Sequence, residues 1–207
     1  VTFPLDRFMR EWRGRRHKDA AIITQAELDF VLAAIERRWP ADDSPHAPVP
    51  RWMVEARRLI GQREIPGPKH NNWIAGSWAR LGAAWFNDDE TPWCGMFVAH
   101  CIDAAGLPYP KEFPRAKAWA DWGQPCEPTV GAVVVFGRAG GGHVGFLVGE
   151  SASNFYVLGG NQSNAVNITP IAKARMVAKG VRWPASLGLP APGLPRMSGG
   201  TISVNEA

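Results

Sequence analysis

Cysteine is scarce in this chain, with three residues in 207, and an odd number cannot close a complete disulfide framework. Cys94 and Cys101 lie on what reads as one helix, about 10 Å apart along its axis, which is beyond the reach of a bridge. Neither a Cys-x-x-Cys pair nor a His/Cys cluster with ligand spacing occurs, so no zinc site is expected. Long apolar runs are missing too. No stretch approaches the length of a membrane span, and Asp6, Arg7, Arg10 and Glu11 interrupt the apolar region that a signal peptide would need. The expectation is a protein made in the cytoplasm, without stable membrane insertion. An excess of one charge is also lacking. With 23 basic and 19 acidic side chains the net charge is +4, compatible with attraction to an anionic polymer and too weak to indicate nucleic acid. The glycine-rich run Gly137 to Gly142 has no Gly-Lys-Ser/Thr behind it, which excludes a phosphate loop.

What is present suits one good-sized domain with a small appendage. Ten tryptophans suit a core, and also sugar and peptide faces. Residues 1–39 read as a helical unit. Thr24-Gln25-Ala26-Glu27 fits a capping box, Leu28, Val31, Leu32, Ile35 and Trp39 form an apolar face, and Pro40 ends it. The cluster Arg10, Arg13, Arg15, Arg16, His17 and Lys18 reads as a solvated helix face in preference to a patch for an anionic polymer or lipid. Pro40, Pro45, Pro48 and Pro50 mark a stiff boundary. Three units are expected: an N-terminal helical appendage with a Pro-rich linker over 1–47, the main domain over 48–186, and a flexible tail, rich in Gly, Pro and Ser, over 187–207.

Within the main domain, helices are predicted from Trp52 to Ile60, from Trp73 to Leu81 capped by Asn72, and through Thr91-Pro92-Trp93-Cys94-Gly95-Met96-Phe97-Val98-Ala99-His100-Cys101. In the last, Thr91 is a candidate N-cap, Pro92 suits the first helical position, and Gly106 with Pro108 stops the helix. Asp88-Asp89-Glu90 just before it suits a calcium ligand set, a helix N-terminus or a solvated loop; no regular metal spacing singles out the first. A short helix is expected from Ala116 to Trp122. The period then changes. Ala132 to Phe136, Val144 to Val148, Phe155 to Leu158 and Val181 to Trp183 read as strands. Helices first and strands joined by short loops afterwards make an α+β plan with an antiparallel sheet.

Three residues carry candidate chemistry. Cys94 falls in the first turn of its helix, where unpaired N–H groups and the helix dipole favour a thiolate, the nucleophilic form. His143 begins a strand directly after three glycines. With Gly145 and Gly149 it shares a nearly bare sheet face, which would let the cysteine helix approach. Leu158-Gly159-Gly160-Asn161-Gln162 ends the next strand and offers a carboxamide to fix the imidazole tautomer, from Asn161 or from Gln162. The order helix cysteine, strand histidine, next-strand carboxamide is more specific than any one of the three.

The stretches Thr91-Pro92-Trp93-Cys94, Gly142-His143-Val144-Gly145-Phe146 and Gly159-Gly160-Asn161-Gln162 resemble the CHAP and NlpC-type cysteine peptidases and amidases, and more narrowly their phage-associated, endolysin-like branch. The resemblance runs from about Trp52 to Pro184 and includes Arg182-Trp183-Pro184. One departure is Gly131-Ala132, where relatives often carry Gly-Asp. The resemblance implies a papain-like core, N-terminal helices packed on a small antiparallel sheet, and hydrolysis of amide bonds in bacterial peptidoglycan. It makes Cys94 the nucleophile, His143 the general base and Asn161 the third residue, with Gln162 as the alternative. Trp93 and Gly142 beside them are expected to bind substrate. No cofactor or metal is expected, no nucleic-acid partner, and a monomer acting on the wall after release or delivery. The competing readings are an interbacterial amidase toxin or a transamidating acyltransferase on the same scaffold, and a non-catalytic wall-binding phage structural module.

Overall fold

The computed structural model describes residues 49–138 and 140–203. The expected N-terminal helix and its basic cluster lie outside the described residues. Three helices come first. Helix α1 spans Arg51–Arg58, buries Trp52, Met53 and Ala56, and places Arg57 and Arg58 in its last turn, where cations complement the dipole. Gly61, at φ +93°, follows it. Helix α2 spans Asn72–Arg80. Its cap is Asn71, one residue before the expected Asn72, whose side chain accepts from the N–H groups of Trp73 and Ile74, satisfying two of the orphan donors of the first turn.

Helix α3 spans Cys94–Ala104 and begins two residues later than the Thr91 cap predicts. The reason lies in Asp88. Its carboxylate accepts from the N–H groups of Glu90 and Thr91 and from the Thr91 hydroxyl, so Thr91 belongs to a turn before the helix. Cys94 is therefore the first helical residue. Cys94 to Ala99, Cys101 and Ile102 are all buried; a helix apolar nearly all round belongs inside a fold. Gly106, at φ +74°, ends it as expected.

The rest is a six-stranded sheet in the order β1-β6-β2-β3-β4-β5, with every named pair antiparallel. The strands are β1 Gln124–Pro125, β2 Val133–Arg138, β3 Gly141–Glu150, β4 Asn154–Gly159, β5 Asn167–Ala172 and β6 Met176–Trp183. The expected helix at Ala116 is a 3-10 segment, Ala116–Asp121. Val133 to Phe136 are buried, as a continuous apolar run in a central strand should be. Strand β5 has no such signature: Asn167, Thr169 and Pro170 break its pattern, and pairing with β4 makes it a strand. The architecture is α+β, with α1 packed on α3 and α3 on β3.

The helix meets β3 differently from expectation. Phe97 of α3 lies against Phe146, ring centroids 6.0 Å apart, so Phe146 and not the bare face carries the contact. Gly145 lies instead against Val157 and Leu158 of β4, and Gly149 lies under Met197. That methionine belongs to the C-terminal run expected to be loose. The run is tied down: Glu150 N–H donates to Pro195 O, Met197 N–H to Glu150 O, Ser203 N–H to Pro170 O, and the Tyr156 hydroxyl to Gly199 O. Its composition suggested a tail, but main-chain pairing to a sheet does not depend on apolar side chains. No helix among the described residues is long and apolar enough to cross a membrane.

Candidate active site

Cys94 stands where the first turn of α3 reaches β3. It is 5% exposed. Burial pushes its thiol above the ordinary range. Hydrogen bonds from the N–H groups of Val144, Gly95 and Cys94 itself and the charge of Arg138 pull the other way and do not overcome it. The N–H groups at the helix start thus favour the thiolate and are outweighed by desolvation. The resting sulfur is a thiol that needs a base to ionise, and its contact with the Val144 N–H sets it one residue along the strand from His143.

His143 is 1% exposed and pairs with Phe136 across the β2–β3 hairpin. Its Nε2 lies 3.0 Å from Gln162 Oε1. The carboxamide that meets the imidazole is therefore Gln162. Asn161, the first choice from sequence, holds the turn: it is buried at φ +54°, a left-handed position that asparagine tolerates better than most residues. The same turn carries Gln162 back toward β3. Because a carboxamide oxygen only accepts, the bond requires His143 Nε2 to carry the hydrogen. In the neutral ring the lone pair is then on Nδ1.

Two glycines make this convergence sterically possible. A Cβ on Gly159 would sit 2.9 Å from Gln162 Oε1 and 3.0 Å from His143 Nε2. A Cβ on Gly160 would sit 2.6 Å from both Phe97 Cβ and Trp93 Cζ3. At neither position is there room for a side chain. Gly142, the other proposed substrate contact, is half-buried beside the alkyl chain of Lys117.

Trp93, expected to touch substrate, is fully buried. Its indole N–H donates to Glu64 at 2.8 Å, and its ring crosses Trp73 edge-on. It fastens the residue before Cys94 to the 62–65 segment, which is itself held to the 162–166 turn by Glu64 N–H to Asn164 O and Val166 N–H to Gln62 O. Burial, together with the nearby carboxylates Asp89, Glu90 and Asp88, pushes Glu64 above its ordinary value. Nothing in the local sequence marked Glu64, since its partner is 29 residues away.

Two carboxylates of the Asp88-Asp89-Glu90 run hold loops together. Asp89 is fully buried and accepts from the N–H groups of Ile65 and Asn71 and from His70 Nδ1. Burial acts to raise its pKa, and these bonds outweigh it, so the carboxyl stays below its ordinary value. Asp89 anchors the loop before α2, and Asp88 forms the turn before α3. No group of three or more potential ligands gathers among the described residues.

The other two cysteines are remote from His143 in chemistry. Cys101 is fully buried, which drives its thiol well above the ordinary range. Burial pushes Cys126 up to about 11.

No curated protein matches the chain. Residues 86–161, which contain Cys94 and His143 and stop one residue short of Gln162, match the CHAP domain, a family whose members are generally cysteine- and histidine-dependent amidohydrolases or peptidases of peptidoglycan.

Proposed function

We propose that this protein is a peptidoglycan amidohydrolase of the phage-associated, endolysin-like kind, built on a papain-like core. It would cleave an amide bond of the wall peptide with Cys94 as nucleophile, His143 as base and Gln162 as the residue that orients the imidazole. The observation that supports this most is the His143–Gln162 bond, formed beside a buried helix-start thiol.

In this reading His143 Nδ1 takes the Cys94 proton as the sulfur attacks the amide carbonyl. The Cys94 N–H, at a helix start where no carbonyl one turn back claims it, would turn from the sulfur to the oxyanion as the sulfur attacks. The imidazolium, stabilised through Nε2 by the Gln162 oxygen, then gives its proton to the leaving amine. Water, deprotonated by His143, attacks the thioester. The acyl group leaves as a carboxylic acid and the thiol is restored. Each step moves one proton through one ring nitrogen, so no cofactor is required.

Purified sacculi test the proposal. Mass spectrometry of the digest should show new amines and carboxyls with intact glycan chains. New reducing ends would mean a glycosidase and would end this reading.

A further inference from the structure

We infer that Asn167, braced by Thr169, is a positioning residue of the Cys94–His143 centre, acting through Gln162 on the imidazole tautomer. The inference rests on the hydrolytic reading above. Its geometry lies one layer further out and was not visible in the sequence motifs.

The oxygens around the Gln162 amide nitrogen set its orientation. Nε2 lies 3.2 Å from Val157 O, 2.7 Å from Asn167 O and 3.0 Å from Asn167 Oδ1. A backbone carbonyl can only accept, so the NH2 end must face them and Oε1 must face His143. The Asn167 amide is itself fixed. Its Nδ2 donates to Gln162 O at 2.7 Å, and its Oδ1 accepts from the Thr169 hydroxyl at 2.6 Å. Asn167 and Gln162 thus clamp each other in both directions.

The clamp closes across a strained turn. Asn161, Ser163 and Asn164 all have positive φ, between 51° and 59°, conformations that side chains adopt at a cost. Asn167 also faces Gly159 across the β4–β5 ladder, and Gly159 is the residue against the His143–Gln162 bond. One side chain therefore joins the strand end, the strained turn and the carboxamide. With the side-chain clamp loosened, the turn is no longer tied through Gln162 O and only the carbonyls of Val157 and Asn167 still hold the NH2 end, so Gln162 turns away from His143 more often. Nε2 then loses its fixed acceptor and the proton can move to Nδ1, the nitrogen that must take the thiol proton.

The test is the pH profile of Cys94 alkylation by iodoacetamide, from pH 5 to 10, in the full chain, with Cys126 as internal control and mass spectrometry as readout. Asn167→Ala should slow Cys94 at pH 7 by about tenfold, the kinetic equivalent of roughly one hydrogen bond, and move the midpoint upward. Thr169→Val should slow it about threefold, a fraction of one such bond, and Thr169→Ser should restore the wild-type profile. Cys126 should react alike in all. A loss of packing alone would lower the melting temperature without moving the midpoint. Wild-type profiles for Asn167→Ala and Thr169→Val overturn the inference, as does a Thr169→Ser variant as slow as Thr169→Val. If Asn167→Ala does not fold, the Thr169 pair decides. The underlying reading fails separately: Cys94 would react no faster than Cys126 in the wild-type chain, and His143→Ala would change nothing.

Discussion

The most direct perturbation exchanges the two neighbouring carboxamides, Gln162→Ala against Asn161→Gly. Gln162 is 1% exposed and bonds to His143, Val157 and Asn167. Truncation leaves the His143 Nε2–H without its acceptor and takes the amide donor from Val157 O, Asn167 O and Asn167 Oδ1, of which the last keeps the Thr169 hydroxyl. One buried unpaired group costs about 1–3 kcal/mol, and the void left by the side chain adds to that, so a loss of about 2–4 kcal/mol of folding stability is expected. The rate should suffer more than the fold. An imidazole whose tautomer is no longer set loses about 100-fold or more, judging from orienting residues in acyl-transfer triads. Asn161→Gly behaves oppositely. The residue sits at φ +54°, where glycine carries no penalty, so stability should hold within about 1 kcal/mol and activity within about threefold of wild type, since no catalytic bond is lost. Sacculus hydrolysis followed by mass spectrometry gives the rate, and thermal melting the stability. If Asn161→Gly, still folded, loses as much activity as Gln162→Ala, the carboxamide assignment is wrong.

Three further outcomes follow from the same geometry. Cys94→Ala should abolish hydrolysis and Cys101→Ala should spare it, each costing about 1 kcal/mol from a buried position of α3; hydrolysis by Cys94→Ala would end the thiol mechanism. Gly160→Ala places a methyl 2.6 Å from Trp93 and Phe97, so it should cost about 1–3 kcal/mol and slow Cys94 alkylation, with an unshifted melting curve as the refuting result. The last concerns acid. Burial pushes His100 below its ordinary 6.5 and Arg80 adds to this, against the pull of its Glu55 partner. The unfolded chain therefore binds the proton first, and stability is lost as pH falls below about 6.5. Glu55, held down to about 2 mainly by its bond to Arg58, with burial opposing and His100 helping, contributes stability that fades only below 4.5, as pH falls toward 2. Of these two partners, His100 and not Glu55 acts on stability between pH 7 and 5. His100→Gln, which can keep both the Glu55 and the Arg80 contacts, should shrink the drop in melting temperature over that interval; an unchanged drop refutes the assignment.

Local order along the chain was enough for much of this fold. Apolar spacing in Trp52–Ile60 and Phe97–Ile102, the valine run of β2, and the stop at Gly106 are properties of short windows, because helix and strand periods are set by the backbone itself. The placement of Cys94 in a first turn and His143 on a strand was legible for the same reason. What a short window does not contain is competition. Asp88 took Thr91 out of its capping role, burial outweighed the helix dipole at the Cys94 sulfur, and indole packing against Glu64 and Gly160 removed Trp93 from the surface. The choice between Asn161 and Gln162 is of the same kind. Both are carboxamides one residue apart, and sequence chemistry treats them alike. A left-handed turn, held across to Asn167 of a strand with no apolar pattern of its own, brings the Gln162 carboxamide to the imidazole. That decision is made by hydrogen bonds between strands, and those form only once the sheet has assembled.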